Sequence, residues 1–185
     1  CGHMWRVLHQ YMDTINGPAD FLEEPISPIT GTRFENAKST KMIHIAEFTA
    51  DLIKCGKLNL DKSRNDHWKV TYHDSCNFAR SCGMTEEPRE LLNLVVPDFR
   101  EMYPNRAENY CCTGGGGAMS MSEYTPRRLK SGIVKANQLK ETGADYVVTS
   151  CHNCVDGLAD VIRHYELPMK VTQLVNLVAN ALVIE

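Results

Sequence analysis

Five of the eight cysteines in this 185-residue chain are spaced in a way that suits metal chemistry. Cys76 is followed after 34 residues by the adjacent pair Cys111-Cys112, and after 38 more by Cys151-His152-Asn153-Cys154. The thiolate is both the nucleophile and the metal-binding form of cysteine, so clustered thiols in a reducing compartment point to redox or metal chemistry. A Cys-x-x-Cys pair alone is shared by zinc sites and dithiol redox motifs. The adjacent pair adds a constraint. Neighbouring side chains diverge, so they serve one tetrahedral ion poorly and suit an extended cluster with several irons. Gly114, Gly115, Gly116 and Gly117 follow closely. Lacking side chains, they let the backbone approach and adopt positive φ, aiming N–H groups at an anionic sulfur site.

The neighbours of these cysteines carry two readings each. His73, Asp74 and His152 either donate hydrogen bonds or protons to a leaving thiolate, or simply cap and orient their loops. Cys82 lies six residues after Cys76, beside Gly83, and is a free thiol with a candidate redox role. Cys55, at the expected end of a helix, reads as a packing residue. The plainest alternative for the five sulfurs is a structural zinc that leaves some thiols unused.

Strands alternating with helices must position these groups. Residues 69–73 alternate as a strand running into Asp74-Ser75-Cys76, and residues 144–150 form a second strand ending at Cys151. A third strand is expected near 169–172. Helices are predicted over 4–15, 37–55, 87–95, from Cys151 to about 165, and at the carboxyl end. Thr125-Pro126 supplies an N-cap and first-turn pair for a further helix running to about 140, which Gly143 closes. Residues 56–66 are polar and read as a linker. The pattern predicts an α/β fold with a Rossmann-like, largely parallel sheet flanked by helices. Cys76, Cys111 and Cys151 are each expected just past a strand, at the carboxyl edge where open α/β sheets bind ligands.

Bulk properties exclude other classes. A hydrophobic content of 43% over 185 residues supports a real core, unlike a small disulfide scaffold. The net charge of −3, with both signs mixed along the chain, gives no electrostatic case for nucleic acid. The longest apolar stretch, 171–184, is broken by polar residues and falls short of the roughly 20 residues a bilayer span needs. A soluble, cytoplasmic protein is expected, able to meet the inner membrane through a partner subunit.

Three segments carry a resemblance: Tyr72-His73-Asp74-Ser75-Cys76, Tyr110-Cys111-Cys112-Thr113 with the four glycines, and Thr149-Ser150-Cys151-His152-Asn153-Cys154. Together they resemble the cysteine-rich CCG domain of the B and D subunits of heterodisulfide reductase. They are also similar to the K subunit of the membrane complex associated with dissimilatory sulfite reductase. One departure is Thr113, where the family pattern has glycine. The resemblance implies a noncubane [4Fe-4S] cluster on Cys76, Cys111, Cys112, Cys151 and Cys154, with a cubane cluster or zinc as alternatives. It implies an electron-transfer subunit that reduces or forms a disulfide or trisulfide in a small molecule or protein. It further implies partners: a second iron–sulfur half or subunit with ferredoxin-like clusters, and a membrane cytochrome b subunit.

Cys1-Gly2-His3-Met4 is similar to the close of a preceding repeat in such proteins, and Cys1 could serve a site completed by that repeat. On this basis residues 1–66 are expected to end one cysteine-rich repeat, with a loop and a linker helix, and residues 67–185 to form the CCG domain. The chain would then be the carboxyl-terminal half of a longer subunit. Two other functions remain open. One is an iron–sulfur relay in a glycolate, lactate or glycerol-3-phosphate oxidoreductase; the other is a zinc-stabilised assembly module.

Overall fold

A computed structural model describes Met4, Arg6 and residues 43–184 of the chain. Apart from Met4 and Arg6, the expected helix over 4–15 lies outside those residues, as do the loop after it and the start of the 37–55 helix. Four strands form one parallel sheet: β1 (Lys69–Tyr72), β2 (Asp98–Phe99), β3 (Tyr146–Thr149) and β4 (Lys170–Gln173), in the order β2-β1-β3-β4. Seven α-helices accompany them among the described residues: α1 (Ile45–Lys54), α2 (Ala79–Cys82), α3 (Glu87–Val95), α4 (Thr125–Ser131), α5 (Ile133–Thr142), α6 (His152–His164) and α7 (Leu174–Ala181). The α/β class and the parallel sheet agree with the sequence reading.

Alternation along the strands sends side chains to both sides, and both sides are covered. Val70, Tyr72 and Val148 pack with Leu91, Leu92 and Val95 of α3 and with Leu174 and Leu177 of α7. Val147 packs on the opposite face with Leu139 of α5 and Leu158 of α6. A parallel sheet needs this, because its crossovers place helices on its faces. Residues 56–66 are not a free linker. Asn65 is fully buried there, and its side-chain amide donates to the carbonyls of Val95 (2.8 Å) and Leu177 (3.1 Å).

The strand order matters most for the site. After β1 the chain moves to β2 on one side, then returns past β1 to β3, whose crossover leads to β4 on the other side. The carboxyl ends of β1 and β3 therefore flank the topological switch point, where a crevice opens in such sheets.

Two expectations need correction. The helix predicted from Thr125 to about residue 140 is split at Gly132 into α4 and α5. A Cβ at Gly132 would lie 3.1 Å from the Leu129 carbonyl and from methyl groups of Thr113 and Val161, so a turn of bare backbone fits where a packed helix surface does not. Cys111 does not follow a strand. Strand β2 ends at Phe99, and a long irregular segment with a short 3₁₀ turn at Arg106–Glu108 leads to the cysteine pair.

Candidate metal centre

Beyond Tyr72, the His73 amide still donates to the Val148 carbonyl at 2.8 Å, prolonging the sheet by one residue. The chain then turns. The Ser75 carbonyl accepts from the Phe78 and Ala79 amides, which starts α2 and leaves Cys76 exposed at the apex of the turn. The loop is fastened from below by Asp74, which is buried. Both Asp74 oxygens accept from the Arg89 guanidinium at 2.8 Å, and one also accepts from the Arg106 amide at 2.7 Å. Arg89 forks in turn onto Glu101 at 2.7 and 2.8 Å. Burial opposes the guanidinium charge, but the bonds to Asp74 and Glu101 outweigh it and hold Arg89 firmly protonated.

Past β3, Cys151 occupies the N-cap of α6 in extended geometry, and Cys154 lies in its first turn; both are buried. Unpaired amides and the positive end of the helix dipole favour thiolates at such a position. The third cysteine segment lies across this helix start. Gly157 is the reason it can: a Cβ there would come within 2.5 Å of the Cys112 carbonyl and 2.7 Å of the Gly114 amide nitrogen. Gly114 mirrors it, since its own Cβ would meet the Asn153 carbonyl at 2.3 Å. Two bare backbones thus set the distance between Cys112 and Cys154. Gly157→Ala should force the loop off the helix, costing roughly 1–3 kcal/mol as overpacking of a close contact. Metal affinity should fall with it; equal urea midpoints and equal metal retention for variant and parent would refute this interlock.

Cys111 and Cys112 differ in exposure, yet their thiols stay within bonding reach of each other instead of diverging. Cys112 is buried and Cys111 exposed. Between Cys112 and Gly114, Thr113 has φ 68°, the left-handed region that β-branched residues disfavour. Glycine would adopt this conformation without strain. Threonine is held by Arg128, whose Nη1 donates to its hydroxyl at 3.1 Å while Nη2 pairs with Asp160 at 2.6 Å.

The sulfurs converge. Cys112 and Cys154 Sγ atoms are 3.2 Å apart, well beyond the ~2.05 Å of a disulfide, and none of the described cysteines is in a disulfide. His73 joins them: one of its ring nitrogens and the two sulfurs lie within 4.8 Å of one another. Cys76 is pushed up by burial and then by the charges of Cys112 and Cys151. Cys111 is pushed up chiefly by its bond to Cys112, and Cys154 by its bonds to Cys112 and Cys151. Cys112 is pushed down, because Cys111, Cys154 and His73 all stabilise its thiolate. The five thiols therefore share one electrostatic environment. Backbone amides point into it: Thr113 N–H donates to Cys111 Sγ at 3.2 Å and Gly114 N–H to Cys112 Sγ at 3.4 Å.

The remaining expected residues separate. His73 is buried at the centre of the site, and burial followed by the charge of Lys135 pushes its pKa down, leaving it neutral. His152 is exposed and faces Asp156 at 3.8 Å, on the outer side of α6. Cys82 is half-buried against the core that contains Cys112, Cys151 and Cys154; burial pushes its thiol up and the charge acting on it is that of Arg6. Gly115, Gly116 and Gly117 form an exposed turn, the last two at φ 68° and 74°, so of the four glycines Gly114 is the one against the sulfurs. Cys55 is exposed at the end of α1.

Sequence reasoning missed Asn109, Lys135 and the Arg89–Glu101 pair. Lys135 had a readable signal: it falls four residues before Leu139 and three before Gln138, on the buried stripe of α5. Its side chain is 1% exposed. Burial pushes it down to about 7, opposed by the thiolate charge of Cys112, the Asp74 carboxylate, and then Cys111 and Cys154.

Comparison with known proteins agrees with this geometry. The cysteine-rich domain family CCG matches residues 70–158, the segment from β1 into α6 that carries all five sulfurs. The Hdr-like menaquinol oxidoreductase iron-sulfur subunit of Archaeoglobus profundus is 34% identical across 100% of this chain and 36% of its own length. The D subunit of the dihydromethanophenazine:CoB–CoM heterodisulfide reductase of Methanosarcina mazei is 33% identical over 78% of this chain and 35% of its own. The EtfAB:quinone oxidoreductase of Syntrophomonas wolfei is 31% identical over 68% of this chain and 18% of its own. The chain thus spans about a third of the length of the first two relatives. No solved structure matches it. Among the described residues no helix is long and apolar enough to cross a membrane. Through the domain at residues 70–158, with its converging cysteines, the chain belongs to the cysteine-rich CCG family.

Proposed function

We propose that Cys76, Cys111, Cys112, Cys151 and Cys154 hold a noncubane [4Fe-4S] cluster in an oxidoreductase subunit that acts on a disulfide or trisulfide. One observation carries this reading: five thiols from three separate segments act on one another electrostatically beside the switch point of the sheet, with the Thr113 and Gly114 amides aimed at two of the sulfurs. The donor set fits an iron–sulfur cluster better than one zinc ion. A tetrahedral zinc takes four ligands, which leaves one thiol over, whereas several irons use thiolates from adjacent residues. The iron–sulfur and heterodisulfide reductase names of the relatives support the same reading.

Such a cluster supplies single electrons and an iron at which a substrate sulfur can sit. The chain's own residues do the rest. Asp74 and Arg89 fix the Cys76 turn, α6 holds Cys151 and Cys154 at its positive end, and buried His73 offers a hydrogen-bond donor. Cleaving a disulfide consumes two electrons and two protons and yields two thiols, so a reduced iron–sulfur partner must deliver the electrons in turn. The exposed side of the site, at Cys76 and Cys111, is where a substrate sulfur would arrive. Gly114 serves as the backbone cradle, and Gly115, Gly116 and Gly117 form the exposed turn that follows it. Cys82 and His152 are assigned a supporting role at most, given their placement. Residues 1–66 are proposed to close a preceding repeat and 67–185 to form the working domain.

A second reading is an electron relay that handles no sulfur, favoured by the similarity to an EtfAB:quinone oxidoreductase. Adding a candidate thiol to the oxidised protein separates the two. Sulfur chemistry predicts a new paramagnetic signal that depends on the thiol. An unchanged spectrum across thiols and disulfides of several sizes favours the relay.

A further inference from the structure

Lys135 is buried with its Nζ facing three acceptors, the arrangement an ammonium makes, and no carboxylate is among them. Its Nζ donates to the side-chain oxygens of Asn109 (2.7 Å) and Gln138 and lies 3.6 Å from the Met102 sulfur. Among the described residues it makes no ion pair, and the carboxylate of Asp74 nearby is taken by Arg89 and the Arg106 amide. Burying an ammonium against neutral acceptors is costly unless an opposite charge lies close.

The lysine also fixes the polarity of its neighbours. An ammonium can only donate, so the atom of Asn109 facing it is oxygen and the Asn109 amide nitrogen faces the other way. That nitrogen lies 3.2 Å from His73 Nδ1 and 3.2 Å from the Asp74 carbonyl. His73 Nδ1 must then accept, which puts the imidazole proton on Nε2. His73 Nε2 is buried and meets no partner at full hydrogen-bond geometry among the described residues, although the ring sits beside the sulfurs of Cys112 and Cys154 and interacts with the Cys112 thiol. A buried donor of this kind calls for an acceptor.

We infer that Lys135 is the counter-cation of the sulfur site, linked to it through Asn109 and His73 so that an N–H is presented to the cluster thiolates. Lys135 is a positioning residue, since its Nζ bonds to Asn109, Gln138 and Met102 and to no cysteine sulfur. Its charge stabilises the more negative, reduced form of the site. The inference rests on the proposed iron–sulfur function and adds to it the group that sets its potential.

The test is the reduction potential of the paramagnetic signal that Cys112→Ser removes, measured in wild type, Lys135→Met and Asn109→Asp. Lys135→Met deletes the charge with little change in volume. Asn109→Asp keeps the lysine but neutralises it in place and turns the His73 proton away from sulfur, so it serves if the first variant folds poorly. Each should disfavour the reduced state at least tenfold, a fall of about 59 mV for a one-electron couple. Iron bound equally in all three proteins, with the reduced state favoured to within twofold of wild type, overturns the inference and leaves the proposed function standing. A wild type that binds no iron overturns both.

Discussion

Cys112→Ser is expected to abolish the visible absorbance of the cluster while leaving the far-ultraviolet dichroism of the fold unchanged. Cys112 is the sulfur on which the others turn: it lies 3.2 Å from Cys154, accepts from the Gly114 amide, and stabilises or is stabilised by Cys111 and His73. Serine is shorter, harder and far less acidic, so it replaces neither the ligand nor the anion. The backbone need not move, because the loop is held by the Gly114–Gly157 interlock and by Arg128 on Thr113. Cys55→Ser, at an exposed helix end, is the matched control and should keep the parental spectrum. A Cys112 variant with that spectrum would remove this residue from the site.

The second large effect is structural. Arg89→Met should destabilise the protein by about 3–5 kcal/mol, the usual consequence of stripping one partner from a buried ion pair. Methionine fills the same space but leaves the Asp74 carboxylate, 1% exposed at its side chain, with the Arg106 amide as its remaining donor. Glu101 is less affected because its side chain is 33% exposed. Adding Asp74→Asn to the same chain should recover part of the loss by removing the stranded charge, a non-additivity that a double-mutant cycle measures. Urea unfolding reads both effects. A loss below about 1 kcal/mol would mean that the Asp74–Arg89 pair does not fasten the Cys76 turn.

Much of the site was legible because its chemistry is carried by residue type and spacing. Cysteines at 76, 111, 112, 151 and 154 point to shared chemistry whatever the details of the fold, and strands that end before Cys76 and Cys151 place two of the three segments at one edge. The third was misplaced for a physical reason. Strand β2 has two residues and no alternation to detect, so the long segment from Phe99 to Cys111 looked like the approach to a strand end. His152 shows the limit of adjacency as a guide. It neighbours Cys151 in sequence, yet one step along a helix turns the side chain by about 100°, which carries it away from the sulfurs to solvent. The pairings of Arg89 and Lys135 were invisible for another reason. Their partners Asp74 and Asn109 are 15 and 26 residues away, and such pairings follow from the completed fold rather than from any local pattern. Thr113 runs the other way: an unexpected residue in a familiar motif is explained by its positive φ and by the arginine that holds it.

The claim beneath all of this is that the converging thiols cradle iron and sulfide. Iron, zinc and acid-labile sulfide, quantified per chain on protein prepared without oxygen, test it most directly. Iron and sulfide are predicted in equal amounts, each falling by about four per chain when Cys112 is replaced, as loss of a [4Fe-4S] unit requires. A colourless protein carrying one zinc and no sulfide would contradict it.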